Sequence, residues 1–562
     1  MDVSAFLEIR AAPQVLFGQL PQRAQQIRFQ VAQFDGSWHP ITWQAFSDAV
    51  RHVALDLAAD GFQPGERAAI FAANSVNWLA AALGIQAAGG VMVPIYPSCT
   101  ADQAAYVLEH SDSKVVFVDG APLAKRLLRG AAWPLLRRVI SLAELDIAQM
   151  AQNHFDGPNG DDAGVNVSSW SEMQASGAAL DAKSPSYFAQ MLDAIAVDGP
   201  GLMLYTSGTS GPPKGVPLTH RNIGVNGRDW LICLADLLEP DMTDLLWLPM
   251  SHIFGFGEAC LGNTLGFTSW LCEPAQVLQK LPLVRPSVFM SVPSLWEKFA
   301  MAAQAQADTT DQRVVLAAVT GGNLKFCLSG GAGLKHEIKT FLHGHGLLVI
   351  EGYGLTECSP TLTLNRPDAF RFDSVGLPLP SLELRLDSDG EILARGPNIF
   401  SGYHKDSAAT AQCFTDDGWL RTGDIGRFTD DGFLQIIDRK KDILVTAGGK
   451  NVAPANIEMQ FRDDPVIAFA VVYGDGKNFL SAGVWPWPHA AAGKSAEELE
   501  LLVAERMAAV NATLARHETI KKWHLFPGTL TMEDGQLTPT LKVKRKFVVT
   551  QFLKEFEGMY AK

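Results

Sequence analysis

The chain has 562 residues, of which 47% are hydrophobic and 19% are charged. This length exceeds what one hydrophobic core usually serves, so we expect two or more domains in a globular, soluble enzyme. The composition excludes a disordered or fibrous chain. The net charge of −14 argues against a nucleic-acid partner and against attraction to an anionic membrane by overall charge.

The seven cysteines are scattered through mostly apolar segments and include no Cys-x-x-Cys pair. They therefore predict reduced thiols in a cytoplasmic protein rather than a disulfide or zinc framework. The first ten residues lack the basic and then apolar pattern of an export signal. The most apolar long segment, 78–95, is interrupted by Gln86 and Pro94, which favours a buried helix over a membrane span. No transmembrane segment is predicted, and peripheral contact with a membrane stays open.

The first 120 residues alternate between strand and helix patterns. Thr42 stands where an N-cap is expected, just before apolar residues at helical spacing. A strand, a helix and a strand in succession predict parallel pairing and an α/β fold. The predicted elements are a hairpin over 27–43, a helix from 43, a strand after the 64–65 turn, a helix over 74–88, a strand over 91–95, a helix over 101–110 and a strand over 114–118.

The segment 201–215 joins an apolar run, predicted as a buried strand, to a loop of hydroxyl residues, glycines and one lysine. Glycine backbone N–H groups, hydroxyl donors and a positive charge suit a bound phosphate. Two prolines precede the lysine, which distinguishes the loop from that of the nucleoside triphosphatases. An ordinary Ser/Gly turn is the simpler alternative. The loop residues are Thr206, Ser207, Gly208, Thr209, Ser210, Gly211 and Lys214.

Three later apolar runs, at 288–294, 325–333 and 348–358, each end in turn-forming residues. Ligands of open α/β sheets bind outside the carboxyl ends of the strands, so we expect a site there. Another strand and turn lead to His252, although a single histidine at such an edge is more often structural. The polar stretch 154–182 predicts a surface excursion rather than a domain boundary.

Beyond residue 373 the pattern becomes β-rich, with Asp-Gly turns between short alternating runs. The charged run 436–444 is typical of a solvated face or of a domain linker. The remaining residues predict a small α+β unit, which ends in a basic segment at 537–546. Its predicted elements are a strand over 466–473, a helix over 496–515 and a strand over 523–526.

Four motifs, in this order, resemble those of the adenylate-forming superfamily, which includes acyl-CoA synthetases, peptide-synthetase adenylation domains and luciferases. The resemblance covers nearly the whole chain. The motifs are the phosphate loop 205–215, the segment Gly352-Tyr-Gly-Leu-Thr-Glu357, the segment Thr422-Gly-Asp424 and the pair Asp438-Arg439.

Within that superfamily the chain is most similar to the long-chain fatty acyl-CoA synthetases. The similarity rests on residues 93–97, 448–458 and 537–545. Many long-chain members continue their histidine motif with a Glu-Arg pair, whereas here His252 is followed by Ile-Phe-Gly-Phe. That departure leaves the length of the acyl chain open.

The resemblance implies an α/β fold with a large N-terminal domain of α/β subdomains over 1–437. A β-rich subdomain would occupy about 373–437. A small mobile α+β domain over 438–562 would rotate about a hinge at Lys441.

The activity implied by the resemblance is an ATP-dependent ligation of a medium- to long-chain fatty acid to coenzyme A, with Mg²⁺, through an acyl-adenylate. One alternative is transfer of the acyl group to an acyl carrier protein, and another is activation of an aryl or other carboxylic acid. A non-catalytic acyl- or nucleotide-binding protein is disfavoured because the charged motif residues are all present. These residues are Lys214, Glu357, Asp424, Arg439 and Lys542. The oligomeric state stays open.

The resemblance also implies roles for residues around ATP. The loop residues 206–211 and Lys214 would bind the β- and γ-phosphates, Thr356 the α-phosphate and Glu357 the Mg²⁺ ion. Lys542 would bridge the substrate carboxylate and the α-phosphate, with Lys544 as the rival because the two lysines lie two residues apart. Gly331, Ala332, Gly333, Tyr353 and Gly354 would surround adenine, and Asp424, Ile436 and Arg439 would contact the ribose.

For the acyl group, the resemblance implies a site that His252 would border without a role as a base. Phe256 falls where long-chain members place an aromatic gate, and the surrounding residues are apolar. Core packing explains the same apolar residues nearly as well. The other implied acyl-site residues are Ser291, Val292, Gly330 and Gly352, while Gly448 and Gly449 would serve the thiol.

Overall fold

The structure is a computed structural model, and it describes residues 1–120, 123, 135–143, 165–206, 212–306, 311–538 and 541–561. The packing of Cα atoms divides the chain into two compact units. Unit 1 comprises Met1–Thr206, Pro213–Glu383 and Arg395–Gly418, and unit 2 consists chiefly of Leu384–Ala394 and Trp419–Lys562. Unit 2 therefore combines strands of the predicted β-rich subdomain with the C-terminal residues, and the predicted boundary at 438 stays a prediction.

The strands of the described residues are numbered here in chain order. They are β1 (Ile27–Ala32), β2 (Trp38–Thr42), β3 (Arg67–Phe71), β4 (Val91–Ile95), β5 (Ser113–Val118), β6 (Arg138–Ser141), β7 (Asn166–Ser169), β8 (Pro200–Thr206), β9 (Lys214–Thr219), β10 (Thr243–Leu246), β11 (Thr268–Leu271), β12 (Val288–Ser291), β13 (Phe326–Ser329), β14 (Val349–Gly354), β15 (Thr361–Leu364), β16 (Leu377–Pro378), β17 (Glu383–Leu386), β18 (Glu391–Arg395), β19 (Leu420–Phe428), β20 (Leu434–Arg439), β21 (Leu444–Val445), β22 (Asn451–Val452), β23 (Ile467–Tyr473), β24 (Leu480–Pro486) and β25 (Ile520–Leu525).

The α-helices of the described residues are named by their bounds. They are Ala12–Arg23, Trp43–Ala59, Val76–Ala87, Ala101–His110, Trp170–Lys183, Tyr187–Asp193, His220–Leu234, Ile253–Leu265, Val277–Val284, Pro293–Gln304, Gln312–Thr320, His336–Gly344, Ser407–Cys413, Pro454–Met459, Pro488–Ala491, Ala496–Asn511, Arg545–Gln551 and Leu553–Gly558, with 3₁₀ turns at Ser4–Phe6, Ala235–Leu237, Pro274–Gln276 and Thr356–Cys358.

A seven-stranded sheet of unit 1 has the order β7-β6-β5-β3-β4-β8-β9. Its neighbours pair in parallel except for the antiparallel pair β8–β9. Strands β3 and β4 are almost continuously apolar and buried, as strands covered on both faces must be. The parallel pairing predicted for β3, β4 and β5 is therefore confirmed, and the predicted hairpin over 27–43 is the antiparallel pair β1–β2.

A nine-stranded sheet of unit 1 has the order β16-β15-β14-β13-β12-β10-β11-β1-β2. The three apolar runs that the sequence predicts to end in turns form its adjacent parallel strands β12, β13 and β14. Ser291 pairs with Ser329, and Ser329 pairs with Glu351, so these strands end at one edge of the sheet. The predicted alignment of three carboxyl ends is confirmed.

The starts of two helices of unit 1 can be compared with the predictions made from the sequence around them. Thr42 caps the helix Trp43–Ala59 as predicted, and its side chain accepts a hydrogen bond from the Ala45 N–H. The predicted excursion over 154–182 is wrong for its second half, where β7 and the helix Trp170–Lys183 lie; residues 154–164 are outside the described part. A capping box between Ser169 and Glu172 starts that helix despite its polar composition.

Unit 2 contains a four-stranded sheet in the order β17-β18-β19-β20 and a three-stranded sheet in the order β23-β24-β25. Two predicted Asp-Gly turns place their glycines, Gly390 and Gly432, at φ of +86° and +84°, the left-handed region that glycine adopts readily. Buried apolar side chains of β23, β24 and the helix Ala496–Asn511 form the core of the C-terminal part. The sequence predicts β23, this helix and β25 but not the central strand β24.

Among the helices of the described residues, none combines the length and the apolar composition needed to span a bilayer.

Candidate active site

The ends of the predicted phosphate loop lie side by side in unit 1. Strands β8 and β9 pair antiparallel, with Thr206 opposite Lys214, so the connecting loop leaves and re-enters the same end of the sheet. The loop residues Ser207, Gly208, Thr209, Ser210 and Gly211 lie outside the described residues. The structure therefore places Thr206 and Lys214 and fixes where the loop begins and ends.

Tyr403 contacts both charged residues that the sequence assigns to the triphosphate and its metal. The Lys214 ammonium lies 4.7 Å from the centroid of the Tyr403 ring. The Tyr403 hydroxyl donates a hydrogen bond of 2.8 Å to Oε1 of Glu357. Glu357 lies in the 3₁₀ turn Thr356–Cys358, and its backbone carbonyl accepts a hydrogen bond from the Phe400 N–H at 2.9 Å. Lys214 and Glu357, 143 residues apart by their numbers, thus share one neighbour.

The environment of Tyr403 keeps its hydroxyl protonated. Burial raises the pKa of this phenol, and the negative charge of Glu357 raises it further. A protonated phenol can donate to the carboxylate, which fits the hydrogen bond observed. Sequence reasoning did not identify Tyr403, and its only local signal is an aromatic residue in a Ser-Gly-Tyr turn.

The carboxyl ends of β12, β13 and β14 bring together the predicted residues Ser291, Gly330 and Gly352. The Gly330 N–H donates to the Ser291 carbonyl at 3.1 Å. A Cβ atom at Gly330 would lie 3.0 Å from the Phe254 ring, and one at Gly352 would lie 2.9 Å from the Thr363 carbonyl oxygen. Both positions are therefore too close to their neighbours to admit a side chain easily.

The residues predicted around adenine flank the same edge. Gly331, Ala332 and Gly333 are exposed after β13, and Gly331 has a φ of +82°. Tyr353 is half-buried in β14, and a Cβ atom at Gly354 would lie 1.8 Å from the Pro360 carbonyl oxygen. The Gly354 position therefore requires glycine.

His252 caps the helix Ile253–Leu265, where its Nδ1 accepts a hydrogen bond of 3.1 Å from the Phe254 N–H. The accepting nitrogen carries no proton, so this contact holds the imidazole in one orientation. Val292 similarly stands before the helix Pro293–Gln304 and is half-buried. The structure thus gives His252 a capping role, and the predicted position beside the substrate carboxylate stays a prediction.

A cavity of about 140 Å³ lies between the helices His220–Leu234 and Ile253–Leu265 of unit 1. Phe256 lines it and also packs against Trp78, with ring centroids 6.3 Å apart. Within the described residues, Phe256 is the only predicted acyl-site residue in its wall. Apolar neighbours in the wall include Ile223, Trp230, Leu231, Ile253, Phe254 and Leu261.

Two glycines lie in the wall of this cavity. Gly227 belongs to the helix His220–Leu234 and Gly257 to the helix Ile253–Leu265. A Cβ atom built at either position has no heavy atom within 4 Å, so each glycine leaves space where a side chain would otherwise stand. The sequence analysis did not single out either residue.

In unit 2, Asp424 and Arg439 are opposite residues of the antiparallel strands β19 and β20. Asp424 Oδ1 lies 2.8 Å from Arg439 Nε, and Asp424 is 4% exposed. Ile436 is half-buried in β20. The three residues predicted at the ribose therefore lie on two paired strands.

Lys542 lies in the electrostatic field of that pair. The residue as a whole is exposed, but the protein around its ammonium group lowers the pKa of Lys542 by desolvation. The positive charges of Arg439 and Arg462 lower this pKa further, and the Asp424 carboxylate opposes them. The rival Lys544 stands before the helix Arg545–Gln551, with its backbone N–H donating to the Gln536 carbonyl at 2.8 Å.

The predicted hinge and thiol-site residues occupy turns of unit 2. Lys441 lies in the turn between β20 and β21, where burial and the nearby Arg439 charge lower its pKa. Gly448 and Gly449 are exposed in the turn between β21 and β22, and Gly449 has a φ of +71°. All three therefore lie outside helices and strands.

Sequence comparison finds two family models in this chain. A model described as AMP-binding enzyme matches residues 20–404, and one described as AMP-binding enzyme C-terminal domain matches residues 441–562. The chain is 35% identical to the long-chain-fatty-acid–CoA ligase FadD15 of Mycobacterium bovis, over 94% of this chain and 93% of that protein. It is 28% identical to the long-chain-fatty-acid–CoA ligase 1 of Homo sapiens, over 94% of this chain and 83% of that protein.

Solved structures share the fold at low sequence identity. The adenylation domain of a carboxylate reductase from Mycobacterium chelonae matches with a TM-score of 0.81 at 18% identity, covering 100% of this chain and 93% of that one. An anthranilate CoA ligase in complex with anthranoyl-AMP matches with a TM-score of 0.73 at 20% identity, covering 98% and 99%. These matches confirm the α/β fold with a large N-terminal and a smaller C-terminal domain. Because the first family model alone spans more than half of the sequence, the chain belongs to the AMP-binding enzyme family.

Proposed function

We propose that this protein is an AMP-forming ligase that joins a medium- to long-chain fatty acid to coenzyme A. The observation that carries the proposal is the 35% identity, over 94% of the chain, to a protein named long-chain-fatty-acid–CoA ligase. The cavity beside Phe256 offers a hydrocarbon chain apolar contacts, among them Trp230 and Leu261.

The proposed reaction has two steps. In the first, an oxygen of the fatty acid carboxylate attacks the α-phosphorus of ATP, and the bond from that phosphorus to the bridging oxygen of pyrophosphate breaks. In the second, the sulfur of coenzyme A attacks the acyl carbon, the bond to AMP breaks, and the thiol proton is released. Both steps concentrate negative charge, so the chain needs hydrogen-bond donors and cations more than a nucleophile of its own.

We propose that the loop 206–211 and Lys214 bind the β- and γ-phosphates and that Thr356 of unit 1 binds the α-phosphate. Glu357 fits a magnesium ligand, because a carboxylate oxygen is the donor that Mg²⁺ prefers and this one is already oriented by Tyr403. A Mg²⁺ ion held there with ATP would neutralise phosphate charge.

In unit 2 we propose that Asp424 accepts hydrogen bonds from the ribose hydroxyls and that Lys542 stabilises the charge on the α-phosphate. Desolvation and the charges of Arg439 and Arg462 lower the pKa of Lys542, while the Asp424 carboxylate raises it. This coupling to the proposed ribose residues supports Lys542 for the role. Arg439 already pairs with Asp424 at 2.8 Å and would keep the carboxylate oriented toward the ribose.

The second step needs the small domain to present a different face, and we keep Lys441 as the proposed hinge. Its place in a turn between β20 and β21 allows the backbone rotation that a hinge requires. Lys441→Pro restricts that rotation, so it should block thioester formation and spare the exchange of pyrophosphate into ATP. Equal retention of both activities would move the hinge elsewhere.

The proposed function is tested by acid-dependent exchange of labelled pyrophosphate into ATP. The panel holds saturated fatty acids from hexanoate to stearate, benzoate as an aryl acid, and a sample without acid. We expect exchange with the longer fatty acids and little with benzoate; exchange with benzoate alone would favour the aryl-acid alternative. If no acid supports exchange, the proposed function is wrong.

A second assay identifies the thiol acceptor, with the acids that support pyrophosphate exchange as substrates. Coenzyme A and an acyl carrier protein are offered separately, and thioester is measured by mass. We expect the product with coenzyme A. The scattered cysteines of the sequence, with no Cys-x-x-Cys pair among them, support a location in the reducing cytoplasm, where coenzyme A and ATP are available.

A further inference from the structure

Tyr403 is placed so that one side chain contacts a cation on its face and an anion at its edge. The Lys214 ammonium lies 4.7 Å from the ring centroid, and the hydroxyl donates to Glu357 Oε1 at 2.8 Å. Lys214 and Glu357 form no direct ion pair within the part of the chain that the structure describes.

A tyrosine side chain can bind a cation and an anion at the same time, through its ring face and its hydroxyl group. The face of an aromatic ring is negative and attracts a cation, whereas the O–H group presents a positive hydrogen to a carboxylate. Each charged group is therefore stabilised by a neutral partner. A direct ion pair between Lys214 and Glu357 would instead use up the charges that the proposed function needs for triphosphate and Mg²⁺.

Tyr403 is itself held firmly. Its backbone N–H donates to Thr410 Oγ1 at 2.9 Å, and its ring packs against Phe400 with centroids 4.9 Å apart. The Phe400 N–H in turn donates to the backbone carbonyl of Glu357 at 2.9 Å. The segment that carries Tyr403 is thus tied to the turn that carries Glu357.

From this geometry we infer that Tyr403 is a positioning residue that keeps Lys214 and Glu357 apart, so that the lysine meets the triphosphate and the carboxylate meets Mg²⁺. The inference rests on the proposed function, because it takes the roles of Lys214 and Glu357 from it. What the inference adds to the proposed function is that a neutral ring separates the two charges.

The test measures equilibrium binding of ATP by competition with a fluorescent ATP analogue, in EDTA and in a Mg²⁺ titration. Tyr403→Phe keeps the ring and removes the hydroxyl. It should leave binding in EDTA unchanged and raise the Mg²⁺ concentration needed for half-maximal tightening by roughly tenfold to a hundredfold.

Tyr403→Leu removes both contacts and lets Lys214 and Glu357 pair. It should also weaken ATP binding in EDTA, by roughly tenfold. Combining Tyr403→Leu with Glu357→Gln removes the competing anion and should restore binding in EDTA to the wild-type value. Glu357→Gln alone completes the double-mutant cycle.

Phe414→Leu is the matched control, because Phe414 packs on Phe400 at 5.8 Å and loses aromatic packing in the same region. It should bind ATP as the wild type does, and thermal unfolding should confirm that every variant is folded. Folded Tyr403→Leu protein whose binding Glu357→Gln fails to restore would overturn the inference. Wild-type protein that binds no ATP would overturn the proposed function too, whereas normal binding by both Tyr403→Phe and Tyr403→Leu would overturn this inference alone.

Discussion

The two units hold their predicted nucleotide-binding charges in different ways. In unit 1, Lys214 and Glu357 are each held by the neutral side chain of Tyr403. In unit 2, Asp424 forms a direct ion pair with Arg439, whose side chain is 50% exposed. The lysine of unit 1 thus meets an aromatic face, while the lysine of unit 2 lies in the field of two guanidinium groups and one carboxylate.

This difference suggests that unit 1 serves mainly binding and that Lys542 of unit 2 serves the first chemical step. Neutral partners would keep the charges of unit 1 available for binding, and the cavity between two helices of the same unit is the proposed place where the acyl chain is selected. In unit 2, desolvation and then charged neighbours shift the pKa of Lys542, a group proposed to act on the reacting phosphate. Substitutions in unit 1 should therefore change what is bound, and those at Lys542 should change the first chemical step.

The largest expected effect comes from Lys542→Ala. It should lower adenylation by ~10² to 10³, or about 3 to 4 kcal/mol of lost charge stabilisation. Pyrophosphate exchange measures this step, and conversion of a presynthesised acyl-adenylate to the thioester measures the second step, which should be retained. Lys544→Ala is the matched control. Equal loss in both steps, or a greater loss from Lys544→Ala, would contradict the role given to Lys542.

Asp424→Asn should have the next largest effect. The amide keeps the size of the carboxylate but loses its charge, so the KM for ATP should rise roughly tenfold to a hundredfold. Steady-state kinetics with ATP and 2′-deoxy-ATP provide the measurement. Wild-type enzyme should discriminate between these nucleotides, and the variant should do so much less.

This change should cost little stability, because the asparagine amide oxygen can still accept a hydrogen bond from Arg439, whose side chain is half-exposed. Thermal unfolding of Asp424→Asn should therefore match that of the wild type. Undiminished discrimination in the folded variant would remove Asp424 from the ribose site.

Gly257→Leu tests the acyl cavity of unit 1. A side chain at this position extends into open space, so it should shorten the cavity without displacing neighbours. We expect kcat/KM for long fatty acids to fall by roughly tenfold relative to short ones, with the KM for ATP unchanged. Gly227→Leu, on the facing helix, should act in the same direction.

Gly344→Leu is the control for both variants. Gly344 ends the helix His336–Gly344, a Cβ atom there also meets open space, and the residue is absent from the cavity wall. Its chain-length profile should equal that of the wild type. An unchanged profile in Gly257→Leu and Gly227→Leu would mean that the acyl chain lies elsewhere.

Some strands and helix caps can be predicted from the sequence because they depend on residues that are close together in the chain. Alternation and turn residues identify the strands that end at Ser291, Gly330 and Gly352, and strand order predicts their shared edge. The Thr42 cap is equally local. The helix Trp170–Lys183 was also signalled, by the spacing of Ser169 and Glu172, but its polar composition concealed the signal.

Other parts depend on contacts between distant residues. Tyr403 lies 46 residues from Glu357 along the chain, and no local sequence pattern predicts their hydrogen bond. Periodicity shows that the helices around Gly227 and Gly257 are partly buried, but not that these two positions face one cavity. Likewise, spacing alone leaves Lys542 and Lys544 equivalent, and the choice between them stays a prediction. The structure adds that Arg439, Arg462 and Asp424 act on the pKa of Lys542.

The smallest expected effect is the pH dependence of the first step, and it follows from the sign of the Lys542 shift. Desolvation and the charges of Arg439 and Arg462 lower the pKa of Lys542, so its ammonium form is lost at a lower pH than that of an ordinary lysine. Adenylation should therefore decline several-fold on the alkaline side before ordinary lysines titrate. In Lys542→Arg, the guanidinium stays charged, so the alkaline decline should disappear even if the absolute rate is lower. Pyrophosphate exchange measured across neutral to alkaline pH decides the matter, and an alkaline decline that persists in Lys542→Arg would assign the titration to another group.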